Sequence, residues 1–487
     1  MPTGVRDGWE HAYRSQEEIV DQPEQRFTRY NPFERDDLRI PSISAVSTAV
    51  SPAARPPYAR QQVRQAQRIQ QRTGSRWLIG LLSALLVIVI AVPIMYTYGV
   101  AGAFTPGTIA TPTFGTFPLR TPNPHGATLA QSLRQGAALA YVNNMIAHMT
   151  LDQEIGQMMM ISFADTQMSP ALQYEIQKYH IGSAIIYAFN IKSGPQLLAL
   201  DQGMQSAAAA AGLPPLLIST DQEGGPVNRL LAVDGPLPSA SDMGATNDPN
   251  YVRQRGEQDA QSLASLGINL NLAPVVDVMN TTGGDLGGRT FGSTPQQVIK
   301  MAGAYLQGLQ ESGKVVGALK HFPGLGDVPA DPHQQLYYLN RSLTDLENID
   351  WAPYKALIAT GQVYAVMSTH VVLTAVDPTR PASLSYPVLT GILRDKLGFN
   401  GVIITDGIYM KALTAHYTYA QSILYAVEAG NDIICSTFNI QVTAEAEQVL
   451  HDAVVNGIMS KSRIDDSVRR ILLLKLRLGL LQAPAGA

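Results

Sequence analysis

The chain has a single cysteine, Cys435, in 487 residues, so no internal disulfide can brace it. Cys435 ends the run Asp432-Ile433-Ile434-Cys435, where a thiol behaves as a small hydrophobe. Charge is also scarce: 15% of the residues are charged and the net charge is −4, which leaves no case for nucleic acid as a partner. The Gly-rich phosphate fingerprint of a doubly wound sheet is missing after the first apolar strand, which counts against an open sheet of that kind. No His-rich spacing supplies the three protein ligands of a catalytic zinc, and no repeat of solenoid length is visible. Neither a metal nor a cofactor is expected.

What is present begins with a long apolar segment. Residues 77–96 carry no charge, and at the α-helical rise about twenty such residues span a hydrocarbon core. The segment starts too far from the N-terminus for a cleavable signal peptide, so an uncleaved anchor is expected. Arg55, Arg60, Arg64, Arg68, Arg72 and Arg76 precede it, and no charge follows until Arg120. That asymmetry predicts a cytoplasmic N-terminus and an extracellular bulk, with the protein held in the cell membrane by a single pass. The last five of these arginines recur every four residues. This spacing suits one helical face against anionic headgroups, and equally a disordered polar arm with a positive cap. The expected organisation is a disordered arm over 1–76, a transmembrane helix over 77–96, a Thr/Pro/Gly-rich linker over 97–126 and a folded domain over 127–487.

Within that domain, apolar runs suited to buried strands fall at 157–162, 182–187, 215–220, 268–273, 315–319, 365–368, 401–405 and 432–435. Stretches of helical composition lie between them, as at 252–266, 295–311, 349–359 and 387–397. Alternation of continuous apolar strands with helices argues for a parallel sheet covered by helices. Eight such units over roughly 350 residues suit an α/β fold of the closed (β/α)8 TIM-type barrel.

Polar residues sit at the expected strand ends. Asn190 follows the second strand, Asp221 ends the third, Asp277 follows the fourth, Lys320 and His321 end the fifth, His370 the sixth and Asp406 the seventh. In a barrel these ends converge on one face, where such folds carry chemistry. A single Asp before a helix is readily explained as an N-cap, but so many polar residues at equivalent positions are not.

Several motifs sharpen this reading: Asp221-Gln222-Glu223-Gly224-Gly225 with Val227 and Arg229, Gly288-Arg289-Thr290-Phe291-Gly292, Lys320-His321-Phe322-Pro323-Gly324 and Asp331-Pro332-His333. They continue with Pro381-Ala382-Ser383-Leu384-Ser385, then Leu397-Gly398-Phe399-Asn400-Gly401 leading to Asp406, and Arg463-Ile464-Asp465-Asp466-Ser467 near the end. In this order they resemble glycoside hydrolase family 3, in its single-domain β-N-acetylglucosaminidase branch.

The resemblance implies an exo-acting, retaining β-glycosidase that removes N-acetylglucosamine from cell-wall or other extracellular glycans. Asp406 matches the family nucleophile. His333 matches a histidine proton donor carried on a mobile loop, with Asp331 orienting its ring; taken alone, Asp-x-His could equally bind a metal. Asp221 and Arg229 map onto sugar-hydroxyl recognition, and Arg289, Lys320 and His321 complete the pocket. Asp277 is expected to hold a loop, while His370 is open between pocket lining and satisfied core.

The chain departs from the family pattern at Pro226, Leu325, Pro332 and Gly407. Pro332 stiffens the loop that carries His333 and Leu325 removes a polar group nearby, which leaves a reduced rate or altered loop closure open. A catalytically weak glycan-binding protein is therefore the alternative from another class. A β-glucosidase or β-xylosidase is the rival within the family; those branches commonly add a second domain after the barrel, and none is expected here.

Overall fold

The computed structural model describes residues 129–279, 286–326, 328 and 335–482. The expected anchor at 77–96 and the residues Asp331, Pro332 and His333 lie outside them. No helix among the described residues is long and apolar enough to cross a membrane.

Eight parallel strands form the core: β1 Met159–Ile161, β2 Ser183–Ile186, β3 Leu217–Thr220, β4 Leu270–Asn271, β5 Val316–Phe322, β6 Ala365–Ser368, β7 Val402–Thr405 and β8 Ile434–Thr437. Each pairs with its neighbour in chain order, and β1 pairs with β8. The remaining seam, between β7 and β8, is a parallel bridge from Ile404 to Ile433, reinforced by the Ile433 amide donating to Ile403 at 3.0 Å and the Thr405 amide donating to Ile433 at 2.9 Å. The strands thus follow one another around a nearly closed barrel. β5 is buried along its whole length, as expected of strands covered on both faces.

The strand-to-helix turns use the same local chemistry repeatedly. Ser169-Pro170, Asp248-Pro249 and Thr294-Pro295 open helices α3 Pro170–Lys178, α5 Pro249–Ser265 and α6 Pro295–Gln310, the first residue capping with its side-chain oxygen and the proline taking the first helical position. An oxygen cap satisfies an amide left over at the helix start, and proline there has no amide to lose. Ser193 with Gln196 and Thr418 with Gln421 form reciprocal capping boxes on α4 Gly194–Ala210 and α8 Tyr419–Ala429. Earlier in the chain lie α1 Leu129–Ala147 and α2 Leu151–Gln157; α7 Ala352–Ile358 follows β5, and α9 Ile440–Val455 and α10 Lys461–Arg477 follow β8.

Helix α10 closes the N-terminal mouth of the barrel. Its Ser467 hydroxyl donates to Asp432 Oδ1 at 2.7 Å, Arg470 reaches the same oxygen at 3.1 Å and Arg463 lies 3.8 Å from it. Arg394 and the Ile403 amide take Oδ2 at 2.6 and 2.9 Å. Further along the helix, Lys475 donates to Gln157 just before β1, and Arg477 stacks 3.6 Å over the ring of Tyr364, just before β6. Asp432 is fully buried, so one carboxylate ties α10 to the barrel floor. A cavity of about 790 Å³ adjoins this end, lined by Tyr364, Phe399, Arg470 and Arg477 among others. It is at the opposite end of the strands from the polar residues described next.

Candidate active site

At the C-terminal ends of the strands, Lys320 is the centre of charge. It projects from β5, its Nζ 2.7 Å from Asp221 Oδ1 and 2.6 Å from Glu223 Oε1. The side chain is almost wholly buried. Burial alone would lower the ammonium pKa, but Asp221 and Glu223 outweigh it and hold Lys320 above its ordinary value. The two carboxylates thereby allow a lysine to stay inside a strand.

Asp221 and Glu223 are set by a short hairpin, Gln222–Gly224 paired with Val227–Asn228. Gly224 and Gly225 turn it at φ +79° and +54°. A side chain at Gly224 would put its Cβ 2.2 Å from the Pro238 carbonyl oxygen, so only glycine fits this turn. The Gln222 amide donates to Asn271 Oδ1 at 3.0 Å and Asn271 Nδ2 returns a bond to the Gln222 carbonyl at 2.9 Å, locking the hairpin onto β4.

Glu223 also receives Arg289 through two bonds, Nε to Oε2 at 2.8 Å and Nη2 to Oε1 at 2.9 Å. Burial would raise the Glu223 pKa, yet Arg289 and Lys320 together hold it far below the ordinary carboxylate range. Glu223 therefore stays ionised and cannot serve as a proton donor. Arg289 continues to His321 Nε2 at 3.2 Å, and His321 Nδ1 lies 2.7 Å from Asp277 Oδ2. A guanidinium cannot accept a hydrogen bond, so Nε2 is the acceptor and Nδ1 carries the proton that it donates to Asp277. Both ring nitrogens are thus committed.

Asp277 is fully buried and also accepts from the amides of His321 at 3.2 Å and Leu325 at 2.8 Å. It holds the turn after β5, as expected, and in addition fixes the His321 ring. Leu325, one of the departures from the family pattern, is a buried core residue here. Asp221 keeps its other oxygen toward Arg229, 3.9 Å away, and both side chains remain partly exposed. Arg229 in turn lies 5.9 Å over the ring of Tyr187.

Asp406 follows β7 directly. Its backbone amide donates to Ser368 at 2.7 Å, its Oδ1 accepts from the Gly407 amide at 2.8 Å and its Oδ2 faces the Thr369 hydroxyl at 3.4 Å. Behind it, His370 is fully buried; Nε2 donates to the Gly407 carbonyl at 3.0 Å, and Nδ1 lies 2.7 Å from the Ser383 hydroxyl. His370 is thus a satisfied core residue that steadies the peptide carrying Asp406, which settles the question left open by the sequence. The thiol of Cys435 is buried within the electrostatic reach of Asp406, Asp221 and Lys320; burial, then the two carboxylates, push its pKa well above the thiol range. Asp406, Asp221 and Lys320 all stand at or just beyond the C-terminal ends of parallel strands that surround this thiol.

Asn190 does not join them. It is fully buried, donates to the carbonyls of Phe163 and Asp165 at 2.9 Å each and accepts from the Tyr187 amide at 2.9 Å, so it braces the loop after β2. Sequence reasoning placed no role on Glu223, Tyr187 or Tyr409. Glu223 was visible only as part of the Asp221 motif; an acidic residue two positions on from another, before two glycines, was the available signal.

This arrangement defines a class: a parallel α/β barrel whose C-terminal mouth holds carboxylates, cations and hydroxyls toward a polar ligand. The chain belongs to glycosyl hydrolase family 3, for the model of the family's N-terminal domain matches residues 150–474. It is 29% identical over 376 residues to β-hexosaminidase A of Pseudoalteromonas piscicida, covering 68% of this chain and 62% of that one. It is 31% identical over 330 residues to the β-hexosaminidase LpqI of Mycobacterium tuberculosis, covering 66% and 82%. A solved structure, a family 3 β-N-acetylglucosaminidase from Paenibacillus sp. str. FPU-7, superposes with a TM-score of 0.65 at 35% identity, covering 69% of this chain and 65% of that one. The chain therefore spans under two thirds of the Pseudoalteromonas and Paenibacillus proteins.

Proposed function

We propose that the protein is a retaining exo-β-N-acetylglucosaminidase, tethered to the cell membrane through residues 77–96 and acting on cell-wall or other extracellular glycans. The observation that carries this reading is the gathering of Asp406, Asp221 and Lys320 at the C-terminal strand ends of a family 3 barrel, with Lys320 bonded to Asp221 at 2.7 Å. The name of the Paenibacillus relative supports an N-acetylglucosaminide substrate, and that of the Mycobacterium relative supports a hexosaminide. The uncharged run at 77–96, preceded by arginines, supports the tether.

In this mechanism Asp406 attacks the anomeric carbon as the bond to the departing oxygen breaks, forming a glycosyl ester. The Gly407 amide and the Thr369 hydroxyl hold the carboxylate in position. His333, oriented by Asp331, gives its proton to the departing oxygen, then takes one from the water that hydrolyses the ester. The ionised state of Glu223 and the committed nitrogens of His321 support a donor from elsewhere in the chain. Asp221 and Arg229 bind sugar hydroxyls by charge-assisted hydrogen bonds. Lys320, Arg289 and His321 complete the pocket, with Arg289 acting through Glu223 and His321.

Hydrolysis of an aryl N-acetyl-β-glucosaminide and the matching aryl β-glucoside by the same protein tests the substrate. Clear preference for the first is expected. Preference for the second makes the protein a β-glucosidase, and binding without turnover of either makes it a glycan-binding protein. Deleting residues 77–96 is expected to move the protein from the membrane fraction to the soluble fraction.

A further inference from the structure

Directly after Asp406 the chain has Gly407, with Tyr409 two residues on. A Cβ built at Gly407 would lie 2.5 Å from Tyr409 Cε1 and 3.1 Å from Cδ1 and Cζ, well inside van der Waals contact. The tyrosine ring therefore stands in the space that a side chain at 407 would need. The ring is held there: it meets Phe438 edge-on at 6.4 Å between centroids, and its hydroxyl adjoins that of Tyr187.

Tyr187 extends the same surface. Its hydroxyl lies 3.3 Å from Ser436 Oγ, Phe189 stacks on its ring at 5.4 Å and Arg229 lies over it. Both phenols sit in the field of Asp221, and Tyr409 also in that of Asp406. Burial raises both pKa values above the ordinary tyrosine value, so both hydroxyls stay protonated and able to donate.

We propose that Tyr409, backed by Tyr187, is a specificity-determining residue that walls the sugar pocket between Asp221 and Asp406. This rests on the reading of Asp406 and Asp221 as the nucleophile and a sugar-binding residue. A sugar held at one end by Asp221 and attacked at the other by Asp406 lies along the two phenols. Their rings meet its C–H groups and their hydroxyls meet its polar edge. Glycine at 407 is then a condition for the wall, because any larger residue, placed directly beside Asp406, must displace the Tyr409 ring.

The test is a cycle of Gly407→Ala, Tyr409→Ala and the double variant, with Tyr409→Phe as a control that keeps the ring. Each is assayed on the aryl N-acetylglucosaminide and on analogues enlarged at the 2-acylamido group or at O6. Gly407→Ala is expected to lose about tenfold to a hundredfold in kcat/KM, chiefly in kcat, and to regain at least about tenfold when Tyr409→Ala is added. Tyr409→Ala alone is expected to raise KM for the parent substrate and to improve the relative kcat/KM on one enlarged analogue at least about tenfold. Tyr409→Phe is expected to keep the wild-type ranking of the analogues. No change of ranking in Tyr409→Ala, or no dependence of the Gly407→Ala loss on residue 409, overturns the proposal while wild-type turnover stands. Absence of wild-type turnover overturns both this proposal and the reading on which it rests.

Discussion

The two ends of this barrel each hold a cluster of buried charge, and they are built on opposite plans. At the N-terminal end, Asp432 is fully buried, and both its oxygens are occupied by three arginines, a serine hydroxyl and a backbone amide. At the C-terminal end, the buried core of Lys320 and Glu223 is equally saturated, but it is ringed by Asp221, Arg229 and Asp406, which remain partly exposed. A saturated cluster has nothing left to offer a ligand and serves as a lock. A cluster with a saturated centre and an open rim keeps charged groups in fixed positions facing a cavity, which is what preorganised binding requires. Asp201 in α4 is a third case: it is buried, and neither oxygen has a hydrogen-bond partner among the described residues.

Substitutions at these sites should separate the three. Asp432→Ala leaves several guanidiniums without their shared counter-ion, and is expected to cost about 3–5 kcal/mol of stability in denaturant unfolding. Activity should be lost only in proportion to unfolding. Arg229→Ala, on the open rim, is expected to leave the unfolding midpoint nearly unchanged while raising KM about tenfold to a hundredfold, the value of a charge-assisted hydrogen bond to the sugar. If Arg229→Ala unfolded the protein and Asp432→Ala spared it, the contrast would be reversed.

The effect expected at Asp201 depends on pH and is smallest on the acid side. Burial raises its pKa from 3.8 to about 8. The folded protein keeps this proton up to about pH 8, whereas the unfolded chain releases it near pH 4, so stability falls as pH rises between these values. Asp201→Asn removes that loss. Its gain should be absent near pH 4, grow steadily with pH and level off above about pH 8, read from unfolding midpoints across pH. A gain that is the same at every pH would refute this assignment.

The eight strands were legible because a parallel barrel buries its strands on both faces, leaving continuous apolar runs. Their lengths were less so. β4 was expected over 268–273 but pairs only at Leu270–Asn271, with Pro274, which has no amide to give to a ladder, soon after. β5 was expected to stop at Leu319 but continues to Phe322. A lysine and a histidine read as a strand end, and only the carboxylates from distant segments make them tolerable inside one. The same reason hid the lock at the other end. Asp432 looked like an ordinary strand start, because its partners Arg394, Ser467 and Arg470 lie 35–38 residues away. Asp406, Asp221, Lys320 and His321 stand at the strand ends where the sequence pattern put them. Asn190 met the same criterion and proved structural, since position at a strand end does not reveal where a side chain's hydrogen bonds go.

The account turns on the carboxylate of Asp406 bonding to the sugar. Incubation with an aryl N-acetylglucosaminide fluorinated at C5, which slows breakdown of the glycosyl ester, followed by intact-mass and peptide analysis, tests this directly. The expected result is one fluorinated sugar per chain, attached at Asp406 and absent from Asp406→Ala. Attachment at another residue, or turnover undiminished in Asp406→Ala, would contradict it.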